Sequence, residues 1–233
     1  MFVPIGDSNP LKSIQFQYVT VVLIIINVLV FLLEGSEGSE SAFVSSFAVV
    51  PQELFQVHVL GGPAPISADS NAIPERYTLF SYMFFHADVA HLFGNMLFLW
   101  VFGDNVEDAM GHVRYLVFYL CCGVAAALLH SYMQPQSQDA LIGASGAISG
   151  VIAAYLMLHP RVGVWVLALH VIPLRISAAL VLGLWIVFQI GMVAFPPAGD
   201  PGPTAWWSHI GGLLAGAALI PILRRPGVPL FRR

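Results

Sequence analysis

Three groups of polar residues lie inside long apolar stretches of the sequence, and their residue types suggest acyl-transfer chemistry. Gly143-Ala-Ser-Gly146 opens one stretch, His209 follows two tryptophans at the start of another, and His91 and Asn95 lie four residues apart in a third. Serine is a weak nucleophile until an adjacent base takes its proton, so Ser145 would need a partner such as His209. The side-chain N–H groups of His91 and Asn95, with the backbone N–H of Ser145, could stabilise an oxyanion.

The rest of the sequence excludes the competing proteolytic chemistries. The single lysine, Lys12, lies outside the apolar stretches, which excludes a Ser–Lys dyad. No HExxH motif is present, and the apolar stretches hold no pair of acids deep enough for an aspartyl mechanism. No Asp or Glu lies in the last three apolar stretches, which include those of Ser145 and His209. We therefore predict a Ser–His dyad that needs neither a metal nor a cofactor.

Composition places the chain in a membrane. Of its 233 residues, 58% are hydrophobic and only 9% are charged, and its mean hydropathy is +0.79. Soluble domains carry about 25% charged residues, so this chain has too few charges to cover a soluble surface, and the lipid bilayer is its expected partner. No basic stripe is present, so we expect no nucleic acid to bind. The adjacent Cys121 and Cys122 lie in an apolar run and are interpreted as small apolar residues, not as a disulfide or a metal site.

Six apolar stretches have about the length that a transmembrane helix needs, on the order of 20 residues. We predict spans at residues 18–33, 87–103, 113–130, 143–158, 176–195 and 206–223. A signal peptide is the alternative for the first stretch, but no clear cleavage site follows it. For residues 42–55, apolar residues at helical spacing favour an interfacial helix, kinked or divided at Pro51, with a disordered loop as the alternative.

The positive charges indicate the orientation of these spans. With the N-terminus inside, eight of the nine Lys and Arg residues fall on the inner side and only Arg76 lies outside. The inner residues are Lys12, Arg114, Arg161, Arg175, Arg224, Arg225, Arg232 and Arg233. Because cytoplasmic loops carry the excess of positive charge, both termini are predicted to be cytoplasmic.

Each polar group also has a purely structural explanation. The serine could merely border a stripe of small, helix-packing residues that begins at Gly146. His209 could extend to the interface, and His91 and Asn95 could hold two helices together by a hydrogen bond. However, all three groups lie near the outer ends of spans that run from outside to inside, so they share a similar depth. This coincidence favours one functional site, whereas His86, further out, is expected in a loop or at the interface.

Taken together, these motifs resemble those of the rhomboid family of intramembrane serine proteases. The resemblance covers roughly residues 15–225, and the serine and histidine motifs with His91 and Asn95 are highly specific as a set. The similar elements are Gly143-Ala-Ser-Gly146, Ser208-His-Ile-Gly-Gly with Gly216, His86-Ala-Asp-Val-Ala-His91-Leu-Phe-Gly-Asn95, Phe102-Gly103 with Glu107 and Gly111, and Arg76 in the region of the first loop.

The resemblance implies a fold and a role for each site residue. The family fold is a six-helix bundle with a water-filled cavity open to the outside. Ser145 would be the nucleophile, His209 the general base, and His91 and Asn95 would line the oxyanion hole. Family substrates are single-span membrane proteins that are cut near the outer end of their helix. Many members carry an aromatic residue four after the serine that stacks on the histidine; here this residue is Ser149, so another residue is expected to hold His209.

We interpret the sequence as a single membrane-embedded domain, residues 1–233, with an all-α fold of six transmembrane helices. The predicted function is that of an intramembrane serine endopeptidase acting on single-span membrane proteins. The alternatives are a transporter or channel whose polar residues line a pore, a haem protein with His91 and His209 as ligands, and a non-catalytic rhomboid-like binding protein. The compact chain suggests the inner (plasma) membrane of a bacterium as its location.

Overall fold

The computed structural model describes residues 2–34, 46–59, 73–168, 171–196 and 205–231. These residues form eight α-helices, three strands and a 3-10 turn, Tyr82–Phe84. The helices are α1 (Tyr18–Glu34), α2 (Pro51–Val59), α3 (Glu75–Ser81), α4 (Val89–Met110), α5 (His112–Met133), α6 (Ser145–Leu158), α7 (Ala178–Ala194) and α8 (Trp206–Leu223). The strands are β1 (Phe2–Asp7), β2 (Gly163–Ala168) and β3 (Ile172–Ser177).

Six of these helices, α1 and α4 to α8, overlap the six predicted spans. Within the described residues, α5 and α8 are each long and apolar enough to cross a membrane, and α3, the turn and α4 form a third candidate bent by 83°. The remaining three, α1, α6 and α7, are shorter apolar helices. Large hydrophobic side chains such as Leu32, Val187 and Leu214 are exposed on the helix surfaces, as expected for lipid contact. The protein is therefore an integral membrane protein, while the number of spans and their orientation stay predictions.

The segment before α3 differs from the predicted interfacial helix over residues 42–55. Residues 42–45 lie outside the described part of the chain, and the helix begins only at Pro51 and continues to Val59. Proline suits this position because the first N–H of a helix has no partner inside it. Just before Pro51, the backbone of Val49 pairs with that of Leu141, which ties this segment to the loop ahead of α6.

The helix that holds the second predicted span does not end with that span, because α4 continues past Asp104 to Met110. Its extra turns carry Glu107, which is fully buried. The Glu107 carboxylate accepts hydrogen bonds from the backbone N–H groups of Val19, at 3.0 Å, and Thr20, at 2.8 Å. These N–H groups open α1 and have no partner inside that helix, so the buried acid is satisfied by capping a neighbouring helix.

The neighbouring acid, Asp108, holds the chain that leads into α1. Its carboxylate accepts from the backbone N–H groups of Lys12 at 3.0 Å, Ser13 at 2.6 Å and Ile14 at 2.7 Å. A carboxylate with several N–H donors keeps its hydrogen bonds when it leaves water, which explains how the end of an apolar helix tolerates consecutive acids.

The prediction of an all-α fold is wrong in one respect, because the three strands form a small antiparallel sheet in the order β1-β2-β3. β2 and β3 form a hairpin that connects α6 to α7, and β1 adds the N-terminal segment to its edge. Val164 and Val166 alternate with more accessible residues along the central strand and are fully buried. This alternation is typical of a strand with one covered face.

Side-chain hydrogen bonds fasten the end of β1 to the helices. The hydroxyl of Tyr155 on α6 donates to the carboxylate of Asp7, and the amide of Asn9 donates to Asn105 on α4. Burial raises the pKa of Asp7 above its ordinary value of 3.8, because removal from water disfavours the charged form. The sheet is therefore connected to α4 and α6, two of the three helices that carry predicted site residues.

Candidate active site

Gly143 sets the position of Ser145 at the start of α6. The φ angle of Gly143 is +114°, a conformation that side chains strongly disfavour, and its N–H donates to the carbonyl of Tyr82 at 2.9 Å. A Cβ atom on Gly143 would lie 2.7 Å from the His91 ring. The chain can therefore turn into α6 beside His91 only because this residue is a glycine. The first N–H groups of α6 have no side-chain cap, so they remain available near Ser145.

Glycines bring α6 and α8 into direct backbone contact. A Cβ atom on Gly212 would overlap the carbonyl oxygen of Gly146, and one on Gly216 would overlap the carbonyl oxygen of Gly150. No larger residue fits at this crossing unless the helices separate. The structure therefore has the close helix approach that the glycine pattern predicts.

Across this contact, Ser145 and His209 are joined directly. The distance from Ser145 Oγ to His209 Nε2 is 2.9 Å, which is a hydrogen bond. The His209 side chain is buried, with 9% of its surface exposed. A serine hydroxyl bonded to an imidazole nitrogen is the arrangement that general-base activation of a nucleophile requires.

The other ring nitrogen of His209 contacts a residue that the sequence analysis overlooked. Gln189 on α7 places its Oε1 atom 2.7 Å from His209 Nδ1, and its side chain is 3% exposed. Apart from the indole N–H of Trp185, Gln189 has the only polar hydrogen-bonding group among the side chains of α7. A polar residue inside an apolar span is by itself a functional signal, and this signal could have found Gln189 from the sequence.

Two tryptophans pack on the His209 ring, in place of the aromatic residue that Ser149 replaces. The ring centroids of Trp185 and His209 are 5.9 Å apart, and those of Trp206 and His209 are 6.0 Å apart. Ser149 instead donates its hydroxyl to the backbone carbonyl of Ser145 at 2.7 Å. Aromatic contacts and the Gln189 hydrogen bond therefore hold the imidazole in place.

His91 and Asn95 lie on the other side of Ser145, at the start of α4. Asp88 caps this helix by accepting from the backbone N–H of His91 at 2.8 Å. The backbone N–H of Ala87 approaches His91 Nδ1 at 3.4 Å, whereas His91 Nε2 lies towards Gly143. Asn95 Nδ2 is buried and donates to no other group among the described residues. A buried N–H donor without an acceptor costs free energy unless a bound ligand accepts a hydrogen bond from it.

His86 lies in the connection between the 3-10 turn and α4, as the loop alternative predicted. Its side chain is buried there, with 1% of its surface exposed. Its ring packs edge-on against His91, with 5.1 Å between centroids. His86 therefore packs against the ring of His91 and restricts its orientation.

A cavity of about 260 Å³ joins the four predicted site residues, Ser145, His209, His91 and Asn95. Its other walls are largely apolar and include Phe98, Ile148, Ile152 and Trp185. A few convergent polar groups in an otherwise apolar pocket are typical of a site that binds and orients an extended ligand.

Comparison with known proteins identifies the family of this chain. Residues 74–226 match the family model described as a Rhomboid domain, which is more than half of the chain. The chain therefore belongs to the rhomboid family.

Several relatives of this chain also carry the name rhomboid. The chain is 31% identical to RHOMBOID-like protein 5 of Arabidopsis thaliana over 153 residues, which is 65% of this chain and 46% of that protein. It is 29% identical to Rhomboid protease GluP of Bacillus subtilis over 157 residues, 67% of this chain and 28% of that protein. It is 26% identical to the mitochondrial Rhomboid protein 1 of Saccharomyces cerevisiae over 151 residues, 62% of this chain and 41% of that protein. The match thus spans less than half the length of each of these three relatives.

Proposed function

We propose that the protein is an intramembrane serine endopeptidase with Ser145 as nucleophile and His209 as general base. The observation that carries this proposal is the 2.9 Å hydrogen bond between Ser145 Oγ and His209 Nε2 at the edge of the cavity. Membership of the rhomboid family, and similarity to a relative named as a protease, support the same reaction class.

The reaction follows from the positions of these two side chains. Ser145 Oγ attacks the carbonyl carbon of a peptide bond while His209 Nε2 takes the hydroxyl proton. His209 then gives this proton to the leaving amine as the C–N bond breaks, which leaves an acyl-enzyme on Ser145. Water then attacks the ester carbonyl while His209 takes a proton from it. His209 returns this proton to Ser145 Oγ as the acyl–oxygen bond breaks, which releases the acid product and restores the enzyme.

The oxyanion of each tetrahedral intermediate would lie towards α4. Asn95 Nδ2 has no other partner among the described residues and lines the same cavity as Ser145. His91 Nε2 and the uncapped N–H groups at the start of α6 lie beside it. Donors placed where negative charge develops stabilise the transition state more than the substrate, which is how an oxyanion hole accelerates acyl transfer.

The membrane setting defines the substrates that we propose. Six apolar helices and the bias of Lys and Arg residues support six spans with both termini in the cytoplasm. The cavity would then open towards the outer side, where the end of a single-span substrate helix could unwind and enter. We propose a bacterial plasma membrane as the location; one of the named relatives comes from Bacillus subtilis, and the other two come from a plant and from yeast.

The test is cleavage of a single-span reporter in liposomes by the wild type and by Ser145→Ala and His209→Ala. We expect the wild type to cut the reporter and both variants to be inert although folded. Ser149→Ala is the matched control for the serine, because Ser149 lies one turn further along α6 and its hydroxyl donates to the backbone carbonyl of Ser145. His130→Ala on α5 is the control for removing a buried histidine.

Equal cleavage by all variants would refute the assigned roles. If no variant cleaves the reporter and Ser145 stays unlabelled by a serine-reactive phosphonate, the protein is a non-catalytic rhomboid-like binding protein. A channel or transporter would instead show solute flux that Ser145→Ala leaves unchanged.

A further inference from the structure

His209 has hydrogen-bond partners on both sides of its ring, and only one of them takes part in the proposed reaction. Ser145 contacts Nε2, and Gln189 contacts Nδ1 through its amide oxygen at 2.7 Å. Both Gln189 and His209 are buried, so water does not compete for this hydrogen bond. The three residues come from α6, α8 and α7 and form one continuous chain of hydrogen bonds.

The amide oxygen of Gln189 selects one tautomer of the imidazole. An oxygen atom can only accept, so His209 Nδ1 must carry the proton of a neutral ring. His209 Nε2 then presents its lone pair to the Ser145 hydroxyl. This tautomer is the one that a general base needs, because the opposite tautomer directs an N–H group at the serine.

The composition of α7 argues against an incidental position for this amide. Apart from the indole N–H of Trp185, the other side chains of α7 are apolar or absent, and neighbours such as Leu184, Val187 and Ile190 are exposed on the helix surface. Gln189, in contrast, faces inward and is almost completely buried against His209. A single buried amide in an apolar helix is costly unless its hydrogen bond is used.

We propose that Gln189 is the positioning residue that fixes the tautomer and orientation of His209, as a neutral third member of the chain Ser145–His209–Gln189. This inference rests on the proposed function and extends the predicted dyad. An amide carries no charge, so it orients the ring without the desolvation cost of burying a carboxylate in the membrane. It also stabilises the imidazolium formed during catalysis less than a carboxylate would.

The direct test is the tautomer of His209, measured by nitrogen-15 NMR of the imidazole in detergent-solubilised protein. The chain has eight histidines, and His209→Ala identifies the signals of interest. We expect a protonated Nδ1 and an unprotonated Nε2 in the wild type. Gln189→Met has similar length but no acceptor, and should give a mixture of tautomers. An unchanged tautomer in Gln189→Met would overturn the inference whether or not the protein is a protease.

Kinetics give the second readout. Loss of one hydrogen bond to the general base predicts that Gln189→Met lowers kcat about tenfold with KM unchanged. Gln189→Glu keeps an acceptor for His209 Nδ1, so its cleavage rate should be close to that of the wild type. Because the carboxylate also stabilises the protonated imidazole, the acid limb of its pH–rate profile should move to higher pH. The control is Asn27→Leu, which removes a buried amide whose hydrogen bond, among the described residues, goes to the backbone carbonyl of Leu23 within α1.

The outcomes separate this inference from the proposed function. If the wild type cleaves its reporter and Gln189→Met does so at the same rate, the dyad stands and the role of Gln189 is refuted. If Gln189→Met lowers the melting temperature but keeps the pH profile and the His209 tautomer of the wild type, Gln189 is a packing residue. If the wild type is inactive yet the tautomer depends on Gln189, the proposed function fails and the positioning role is retained.

Discussion

The backbone carbonyl oxygen of Gly146 occupies the space that a side chain on Gly212 would need. Gly146 follows Ser145 directly, and Gly212 lies three residues after His209. This contact therefore sets the separation of α6 and α8 at the point where the hydrogen bond between Ser145 and His209 forms. A displacement of about 1 Å would break a bond of 2.9 Å.

Gly212→Ala should abolish most reporter cleavage, because the added methyl group forces the two helices apart. Overpacking of this kind costs about 1–3 kcal/mol, so the melting temperature should fall as well. The matched control is Gly191→Ala on α7, where a Cβ atom meets nothing within 4 Å. Cleavage and melting temperature are measured for both variants. Equal behaviour of the two would contradict the account of the helix contact.

Gly143→Ala should reduce kcat by up to about 100-fold, because its Cβ displaces the ring of His91 and with it one donor to the oxyanion. Gly227→Ala is the control, because it introduces backbone strain without a clash. Gly227 also has a positive φ angle, +85°, but a Cβ atom there would have open space around it. Steady-state cleavage rates of the two folded variants are compared with those of the wild type. If Gly143→Ala is as active as Gly227→Ala, the position of His91 does not matter for the rate.

Glu107→Gln should destabilise the protein by about 1–3 kcal/mol, because the two backbone N–H groups of α1 bind different oxygens of the carboxylate and an amide replaces one of these oxygens with a donor. The loss should appear as a lower melting temperature and as faster hydrogen exchange at Val19 and Thr20. Asp139→Asn alters an exposed acid in a loop and serves as the control. A Glu107→Gln variant with wild-type exchange at these amides would show that the cap contributes nothing.

Asp7→Asn should become more stable relative to the wild type as the pH rises from about 4 to neutral. The pKa of Asp7 is raised by burial, so the folded state favours the protonated carboxyl and loses stability as the pH rises through this raised pKa. Asparagine has no such transition and still accepts from Tyr155. Melting temperatures of both proteins across this pH range give the result. A constant difference between the two curves would rule out the coupling.

The sequence was sufficient for most of the site, for a physical reason. Ser145, His209, His91 and Asn95 are polar groups in an apolar chain, and the membrane makes each such group costly unless it has a partner. Helix periodicity and a common depth then bring them together, as the cavity that all four line illustrates. The catalytic roles assigned to them stay predictions.

What the sequence analysis missed depended on tertiary contacts. Gln189 carried a detectable signal, but its partner on α8 could not be inferred without the packing of α7. The strand alternation around Val164 and Val166 was obscured because apolar residues are common throughout the chain. Asp104 suggested that the apolar segment of α4 ends there. The helix nevertheless continues to Glu107, which accepts hydrogen bonds from backbone N–H groups of a segment almost 90 residues earlier in the chain.

The most direct test of the Ser145–His209 pair is covalent labelling of the wild type with a serine-reactive phosphonate, with the modified residue located by mass spectrometry. We expect a single adduct on Ser145 that is lost in Ser145→Ala and strongly reduced in His209→Ala, while Ser149→Ala is labelled like the wild type. Absence of labelling in folded wild-type protein, or labelling of Ser145 that does not depend on His209, would refute the roles assigned to these two residues.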